Sequence, residues 1–339
     1  MNILITGGAG YIGSHVAKQL LETTTYNITI LDNLSTGSAK TLDTLKTIRD
    51  FKFIELDLKE FDKVNSALKE KKINTIIHFA ASIVVPESVE NPLKYYMNNT
   101  VNTTNLIKRA VENNVSKFIF SSTAAVYGEP TNIPNTGVDE SYPTNPINPY
   151  GMSKLMSEKV LQDTASVNSD FKYVIFRYFN VAGASADLTI GECHEPETHL
   201  IPLVAKTALG KRDKILIYGD DYPTKDGSNL RDYVHVLDLA DAHIKAIDFL
   251  NENSSNIFNC GYGKGFSVKE VVKTMKLVTN TNFISEIVSR RAGDPAILVS
   301  DNRKIKSKMN WIPKYEDLPL ICKSAYDWEN RLGEEIGTK

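Results

Sequence analysis

The sequence predicts an α/β fold, a doubly wound parallel sheet with a smaller mixed α/β unit toward the C-terminus. Three observations lead there. Short β-branched runs alternate with longer helical stretches over the first 180 residues. Those runs are almost continuously apolar, as strands covered on both faces are. A glycine-rich turn joins the first run to the first helical stretch, and strand–helix repetition of this kind builds a doubly wound sheet.

The expected strands are NILIT (2–6), NITILD (27–32), FKFIEL (51–56), INTIIHF (73–79), KFIFSS (117–122) and KYVIFRYF (172–179). Helical stretches such as 60–71, 92–113 and 150–166 separate them. Past residue 180 the alternation stops. Residues 181–199 read as polar loop, and 219–232 are dense in turn formers. A helix is expected at 236–250 and a strand at 256–263. With no internal repeat and no low-complexity linker, the two units are expected to share one rigid body.

The 339 residues are 42% hydrophobic and 24% charged, enough for a sizeable core. A net charge of −2 argues against a nucleic-acid-binding surface. Cys193, Cys260 and Cys322 are too few and too scattered for a disulfide framework or a CxxC zinc pattern. A reducing cytoplasm fits that usage. No secretory leader or apolar run of membrane-spanning length is visible, so a soluble cytoplasmic protein is expected.

The turn TGGAGYIGSH carries chemistry. Gly8, Gly10 and Gly13 satisfy GxGxxG, and Gly7, Gly10 and Gly13 satisfy GxxGxxG. Glycines here let the backbone approach a pyrophosphate, which rests on the helix N-terminus. Asp32 ends the second strand about twenty residues on, as a dinucleotide fingerprint requires. Its carboxylate suits a ribose 2′-hydroxyl and would repel a 2′-phosphate, which favours NAD over NADP. The first unit (1–180, with 235–260 returning to it) therefore reads as an NAD-binding Rossmann domain, and 181–339 as a second, smaller unit.

In NPYGMSKLMSE, Tyr150 precedes Lys154 by one helical turn, which puts phenol and ammonium on one face. Taken by itself, the pair reads as a surface pair, with Glu158 extending an i, i+4 ladder. Beside a dinucleotide turn it reads as catalytic, because a neighbouring cation stabilises a phenolate whose pKa is otherwise near 10.

TGGAGYIG, HFAA, SSTAAVYG, NPYGMSK, RYFNVAGA and LRDYVHVLDLADAH together resemble the extended short-chain dehydrogenase/reductase superfamily, and within it the UDP-hexose 4-epimerase family. The resemblance runs nearly end to end. It implies tightly held NAD, a UDP-sugar substrate and a homodimer. It makes Tyr150 the base, Lys154 its partner and Thr123 the hydroxyl on the sugar oxygen. Around the cofactor it implies Tyr11 and Ile12 with the glycines, then Asn33, Asp57 and Leu58 near the adenosine. Phe79, Ala80, Ala81, Asn98, Ser121 and Phe179 complete that lining. For the substrate it implies Arg231 and Arg291 on the phosphates and Asp294 on the uridine ribose. Asn180, His199, Leu200, Leu216, Tyr218 and Tyr233 stand around the nucleotide and sugar.

The residues after Thr123 narrow the reaction. Related 4,6-dehydratases carry an acidic pair there, since elimination needs a general acid and base. Ala124 and Ala125 can do neither. Oxidation and return of hydride at one carbon needs only tyrosine, Ser/Thr, lysine and NAD, so interconversion of UDP-glucose and UDP-galactose is expected. The alternatives are 4-epimerisation of UDP-GlcNAc or UDP-glucuronate, or a non-catalytic dinucleotide sensor, which typically lacks the Tyr/Lys pair. Leu298 falls roughly where the family sets pocket size beside the sugar's 2-substituent. Ile83 stands near a position where some members carry a phosphate-reaching lysine, and His199 where some carry asparagine. The stretch ECHEPETH (192–199) gathers Cys193, His194 and His199 with three glutamates but lacks common zinc spacings, so a solvated loop and no metal are expected.

Overall fold

The structure is a computed structural model and describes residues 1–337 apart from 132, 135, 195 and 292. The first half runs β1 (Asn2–Thr6), α1 (Tyr11–Thr23), β2 (Asn27–Asp32), α2 (Ala39–Lys46), β3 (Lys52–Glu55), α3 (Phe61–Glu70) and β4 (Thr75–His78). It continues through α4 (Val85–Glu90), α5 (Pro92–Tyr95), α6 (Asn102–Glu112), β5 (Lys117–Thr123), α7 (Pro149–Val167) and β6 (Lys172–Tyr178). These strands, with one later strand, form a seven-stranded sheet in which every pairing is parallel. The strand order reverses between β1 and β4, and ligands of doubly wound sheets bind at such a switch point.

The second half contains β7 (Asn180–Ala182), α8 (Leu200–Ala208), β8 (Lys214–Tyr218), β9 (Leu230–His235) and α9 (Val236–Glu252). There follow β10 (Asn256–Cys260), β11 (Gly265–Ser267), α10 (Val268–Thr279), β12 (Ile284–Val288), β13 (Ile297–Leu298), α11 (Arg303–Met309) and α12 (Leu318–Gly337). Strand β10 pairs with β6 and closes the large sheet's edge. Strand β9 is flanked by β11 and β13 in its first half and by β7 in its second, while β8 pairs with β12 in a separate two-stranded sheet.

Two expectations are corrected here. Residues 219–232 are not turn throughout, because Leu230, Arg231 and Asp232 lie in β9. Asp232 is wholly buried, accepting from the backbone amides of Tyr262, Gly263 and Ser300, so this turn-rich stretch ends in core structure. Nor is 92–113 one helix. A π-helical stretch, Tyr96–Val101, separates α5 from α6. Asn99 there holds both backbone groups of Ser82 and also reaches Ser153 Oγ, tying the loop after β4 to α7. Single-turn π segments of this kind cluster at functional sites.

The core has two main parts. One cluster packs α1, α8, α9, α10 and α12 on one face of the sheet and on the small second-half strands, with Val16, Leu20, Ile30, Phe176, Phe258 and Trp311 among its members. The other packs α3, α6 and α7 on the opposite face through Val64, Leu106, Phe118, Phe120 and Leu161. A third, smaller cluster joins Ala124, Val126, Tyr127, Val138, Phe179 and Leu298 at the C-terminal ends of the strands.

Candidate active site

At the switch point β1 runs straight into the glycine turn. Gly7 has φ +71, and a Cβ there would stand 2.6 Å from the Ala80 amide nitrogen. A Cβ on Gly13 would stand 2.3 Å from the Gly7 carbonyl oxygen. The turn is therefore closed to any side chain, and the first-turn amides of α1, which have no acceptor within a helix, face outward from it. This cradle fits a dinucleotide pyrophosphate. Asp32 accepts from the amides of Ala9 and Leu34, each at 2.9 Å, which presets its carboxylate at the end of β2. Burial pushes that carboxyl up, and the two amides oppose the rise.

The rest of the expected cofactor lining divides into cleft and core. Asn33 donates to Asp57 at 3.0 Å at the rim. Leu58 packs into the second core cluster, and Ile12 and Phe79 pack against the first. Ala80 and Ala81 lie in the chain just after β4, and the Phe79–Ala80 backbone stands opposite Gly7. Asn98, in the π-helical stretch, donates to Ser82 Oγ at 3.0 Å. Tyr11 donates to the Gly183 carbonyl at 2.6 Å and so links the phosphate turn to the chain leaving β7.

Helix α7 starts where its sequence says it should. Asn148 caps it by accepting from the Gly151 amide, and Pro149 fills the first helical position, where its missing N–H costs nothing. That start places Tyr150 half-buried beside Tyr95 at the cleft and sends Lys154 inward. Lys154 is 4% exposed, and its Nζ donates to the Ser121 carbonyl at 2.8 Å above the Phe120 ring. Burial lowers the Lys154 ammonium to about 7, against the charge of Glu158, which favours it. Burial raises the Tyr150 phenol, and a hydrogen bond to Thr123 pulls it the other way. Thr123 ends β5, its Oγ1 accepting from the Ala125 amide at 3.1 Å. Phenol and hydroxyl thus meet at the C-terminal end of β5, and the ammonium is held two residues back along the same strand, on the Ser121 carbonyl.

Sequence reasoning left one feature of this region unread. Glu158 is not a rung of a surface ladder. It is wholly buried, 2.7 Å from the Arg177 guanidinium on β6, which also contacts both carboxylate oxygens through Nε. Ser122, next to Thr123, donates to the same carboxylate, and Arg177 Nη1 reaches the Tyr127 hydroxyl at 3.2 Å. The signal was present: a charge inside the apolar run KYVIFRYF must find a partner.

The substrate residues lie on the second-half strands. Arg231 on β9 pairs with Asp294 at 2.7 Å, and Asn229 donates to the other oxygen of that carboxylate. Leu298 on β13 is in register with Arg231 and packs with Ala124 and Phe179, which brings this pair to the edge of the catalytic region. Leu216 and Tyr218 share one face of β8, and the Arg291 guanidinium lies 4.3 Å over the Tyr218 ring. Tyr233 is buried in the first core cluster, in register with Asn180. His199 stands at the N-cap position of α8 without a capping side-chain bond, and Leu200 opens the helix against the core.

The stretch before α8 is not a solvated loop. Glu192 and Glu197 side chains are each only 5% exposed, and both face His194 and His199. Cys193 is exposed and does not belong to this grouping. Glu195, the third glutamate of this stretch, lies outside the described residues. The proximity of the other four depends on a fold in the loop that spacing alone does not reveal.

A dinucleotide cradle at a Rossmann switch point, with a tyrosine, a lysine and a hydroxyl at the strand ends, defines a nicotinamide-dependent enzyme that works on alcohols and ketones. Residues 3–261 match the NAD dependent epimerase/dehydratase family, and the chain belongs to it. Its cofactor is NAD. The chain is 46% identical over 329 residues to a UDP-glucose 4-epimerase of Halalkalibacterium halodurans, covering 97% of this chain and 95% of that one. Among solved structures it is similar to the UDP-Glc/GlcNAc 4-epimerase of Campylobacter jejuni, with 56% identity and a TM-score of 0.86 over 97% of this chain and 99% of that one. It is also similar to a UDP-glucose 4-epimerase from Stenotrophomonas maltophila bound to NAD and formylated UDP-arabinopyranose, with 34% identity and a TM-score of 0.94 over 99% of each chain.

Proposed function

We propose that this enzyme interconverts UDP-glucose and UDP-galactose by transient oxidation at C4 of the sugar. The observation that carries this reading is the grouping of Tyr150, Thr123 and Lys154 at the strand ends, with alanines at 124 and 125 where an elimination would need an acid and a base. Tyr150 removes the proton of the 4-hydroxyl. Thr123 donates to that oxygen while it is a carbonyl and accepts from it while it is an alcohol. Lys154, whose ammonium is lowered by burial to about 7, supplies when protonated the positive charge that offsets a phenolate in a dry cleft. Bound NAD supplies the hydride acceptor and then the hydride donor, with no net redox change. The 4-ketose must present both faces in turn, so the nucleotide has to be held firmly and the sugar loosely. Arg231, Arg291 and Asp294 serve as that grip, since a guanidinium suits bidentate phosphate contact.

Incubation of the purified protein with UDP-galactose, without added NAD, should produce UDP-glucose. An inert UDP-galactose would refute the proposal. A second reading, that N-acetylated UDP-hexoses are also accepted, is favoured by the 56% identity to a UDP-Glc/GlcNAc 4-epimerase and by Leu298, smaller than tyrosine, in the cluster beside Thr123. UDP-GlcNAc in the same assay decides it.

A homodimer in the cytoplasm is the assembly and location we propose. Val85, Val89, Leu93, Met97 and Val101 recur every fourth residue through α4, α5 and the π-helical stretch, and all are exposed, as is Met156 on α7. A contiguous apolar face of this kind marks a protein interface. Among the described residues no helix is long and apolar enough to cross a membrane.

A further inference from the structure

The loop between β7 and α8 brings four ligand-type side chains together that the proposed reaction does not use as a set. One atom from each of Glu192, His194, Glu197 and His199 can be chosen so that all lie within 4.8 Å of one another. Glu192 Oε1 is 3.1 Å from His194 Nε2 and 2.7 Å from His199 Nδ1. Glu197 Oε1 is 3.9 Å from His194 Nε2 and 3.4 Å from His199 Nδ1. Four ligands placed about 2.0–2.1 Å from a tetrahedral zinc stand roughly 3.4 Å apart, and the observed separations straddle that value.

Two further observations point to a ligand. Among the described residues Glu192 Oε2 is buried without a hydrogen-bond partner, on a side chain that is only 5% exposed. A buried carboxylate oxygen of this kind calls for an occupant, and a cation is one that satisfies it. The second is the orientation of His194. Its Nδ1 lies 3.2 Å from the Pro196 carbonyl, and a carbonyl only accepts, so Nδ1 carries the proton. Nε2 faces Glu192 Oε1 at 3.1 Å, so it carries a shared proton in the metal-free protein and would give it up to a bound cation, with the outer carbonyl holding the ring as one does for a metal-ligating histidine.

The Glu192 and Glu197 positions are each tied to their surroundings. The Thr198 and His199 amides both donate to Glu197 Oε1 at 2.7 Å. Trp328 of α12 donates to the Glu192 carbonyl at 2.7 Å and covers Gly191, where a Cβ would be 2.5 Å from the indole ring.

We propose that Glu192, His194, Glu197 and His199 form a structural site for one divalent transition-metal cation of the zinc type. Two imidazoles and two carboxylates supply mixed N/O ligands that suit zinc and leave the complex neutral overall. All four coordination positions come from the protein, so the site is closed and has no place for a reacting water. Its effect is mechanical: it fastens the segment that leads into α8, and with it His199 and Leu200, to the Tyr11 and Trp328 side of the fold. The competing arrangement is purely protonic, two imidazolium rings shared between two carboxylates.

The test uses untagged full-length protein. Metal analysis of the protein after dialysis against zinc should find about one equivalent per chain, and competition with a chromogenic chelator should report a single tight site. His194→Ala and Glu197→Gln should each weaken zinc by more than the roughly 10–100-fold that an outer-shell partner is worth, while Cys193→Ser retains it. The wild-type melting temperature should rise with zinc concentration. Cobalt in place of zinc should give the visible absorption of a tetrahedral N/O complex. The wild-type titration stands even if a variant misfolds. Absence of zinc binding to wild type with an unchanged melting temperature, or zinc content unaffected by His194→Ala, overturns the proposal and leaves the protonic arrangement.

Discussion

Glu158 and Arg177 meet as a bidentate ion pair inside the protein, one turn of α7 beyond Lys154 and one strand away from Thr123. The pair joins α7 to β6, and Ser122 ties β5 to the same carboxylate. Rotation of α7 relative to β5, which sets where Tyr150 and Lys154 stand against Thr123, is thereby fixed from behind. Breaking such a pair strands one buried charge, at a cost of about 3–5 kcal/mol. Glu158→Gln should therefore lower stability by that order in urea unfolding. Arg177→Met combined with Glu158→Leu should recover much of the loss, because no lone charge remains. A Glu158→Gln protein as stable as wild type would refute the role assigned to the pair.

Tyr150→Phe removes the hydroxyl and keeps the ring that packs edge-on against Tyr95. The variant should fold, retain NAD and lose turnover by about 10²–10⁴-fold, the range of a general acid–base group. Steady-state assay with UDP-galactose, alongside the absorbance of released cofactor after denaturation, separates chemistry from cofactor loss. Wild-type turnover in this variant would remove Tyr150 from the mechanism.

How much of the fold and site is legible in the sequence depends on the range of the interactions involved. The phosphate turn and the start of α7 are local: glycines where no Cβ fits, an asparagine cap and a proline at the first helical position all read directly from neighbouring residues. The parallel arrangement of the central strands is expected from their alternation with helices. The second half is harder, because β11 and β13 are three and two residues long and pair with a strand that emerges from a turn-rich segment. Strands that short carry no periodicity, and their pairing is set by contacts distant in sequence. The partner of Arg177 and the convergence of Glu192, His194, Glu197 and His199 are invisible for the same reason: burial and long-range packing decide them, while spacing only permits them.

Lys154 makes the ligand-free protein's stability depend on pH. Its ordinary value is 10.5, and burial lowers it to about 7 in the folded state. Between those two values the unfolded chain binds the proton and the folded chain does not, so unfolding takes up a proton and this group's contribution to stability rises with pH. Below about 7 both states are protonated and the full cost of the buried ammonium is present. Other groups titrate in the same window, so the difference between wild type and Lys154→Met isolates the effect. That difference should shift in favour of wild type as pH rises from about 7 toward the ordinary lysine value, measured by chemical unfolding. A difference that stays flat would mean that Lys154 remains charged in the empty cleft.

The apolar stripe on α4, α5 and the π-helical stretch tests the assembly. Leu93 is 72% exposed and Met97 59%, four residues apart on adjoining helical segments. Each side chain fully removed from water contributes about 1.5–3 kcal/mol, so together they would supply a large part of the association energy. Leu93→Glu with Met97→Glu places two like charges where two copies of the stripe would face each other, and like charges brought together in an interface are strongly unfavourable. Wild type should sediment as a dimer and the double variant as a monomer, with its circular dichroism unchanged because neither side chain belongs to the core. If wild type sediments as a monomer at concentrations where other globular dimers persist, the stripe has some other purpose and the dimer is wrong.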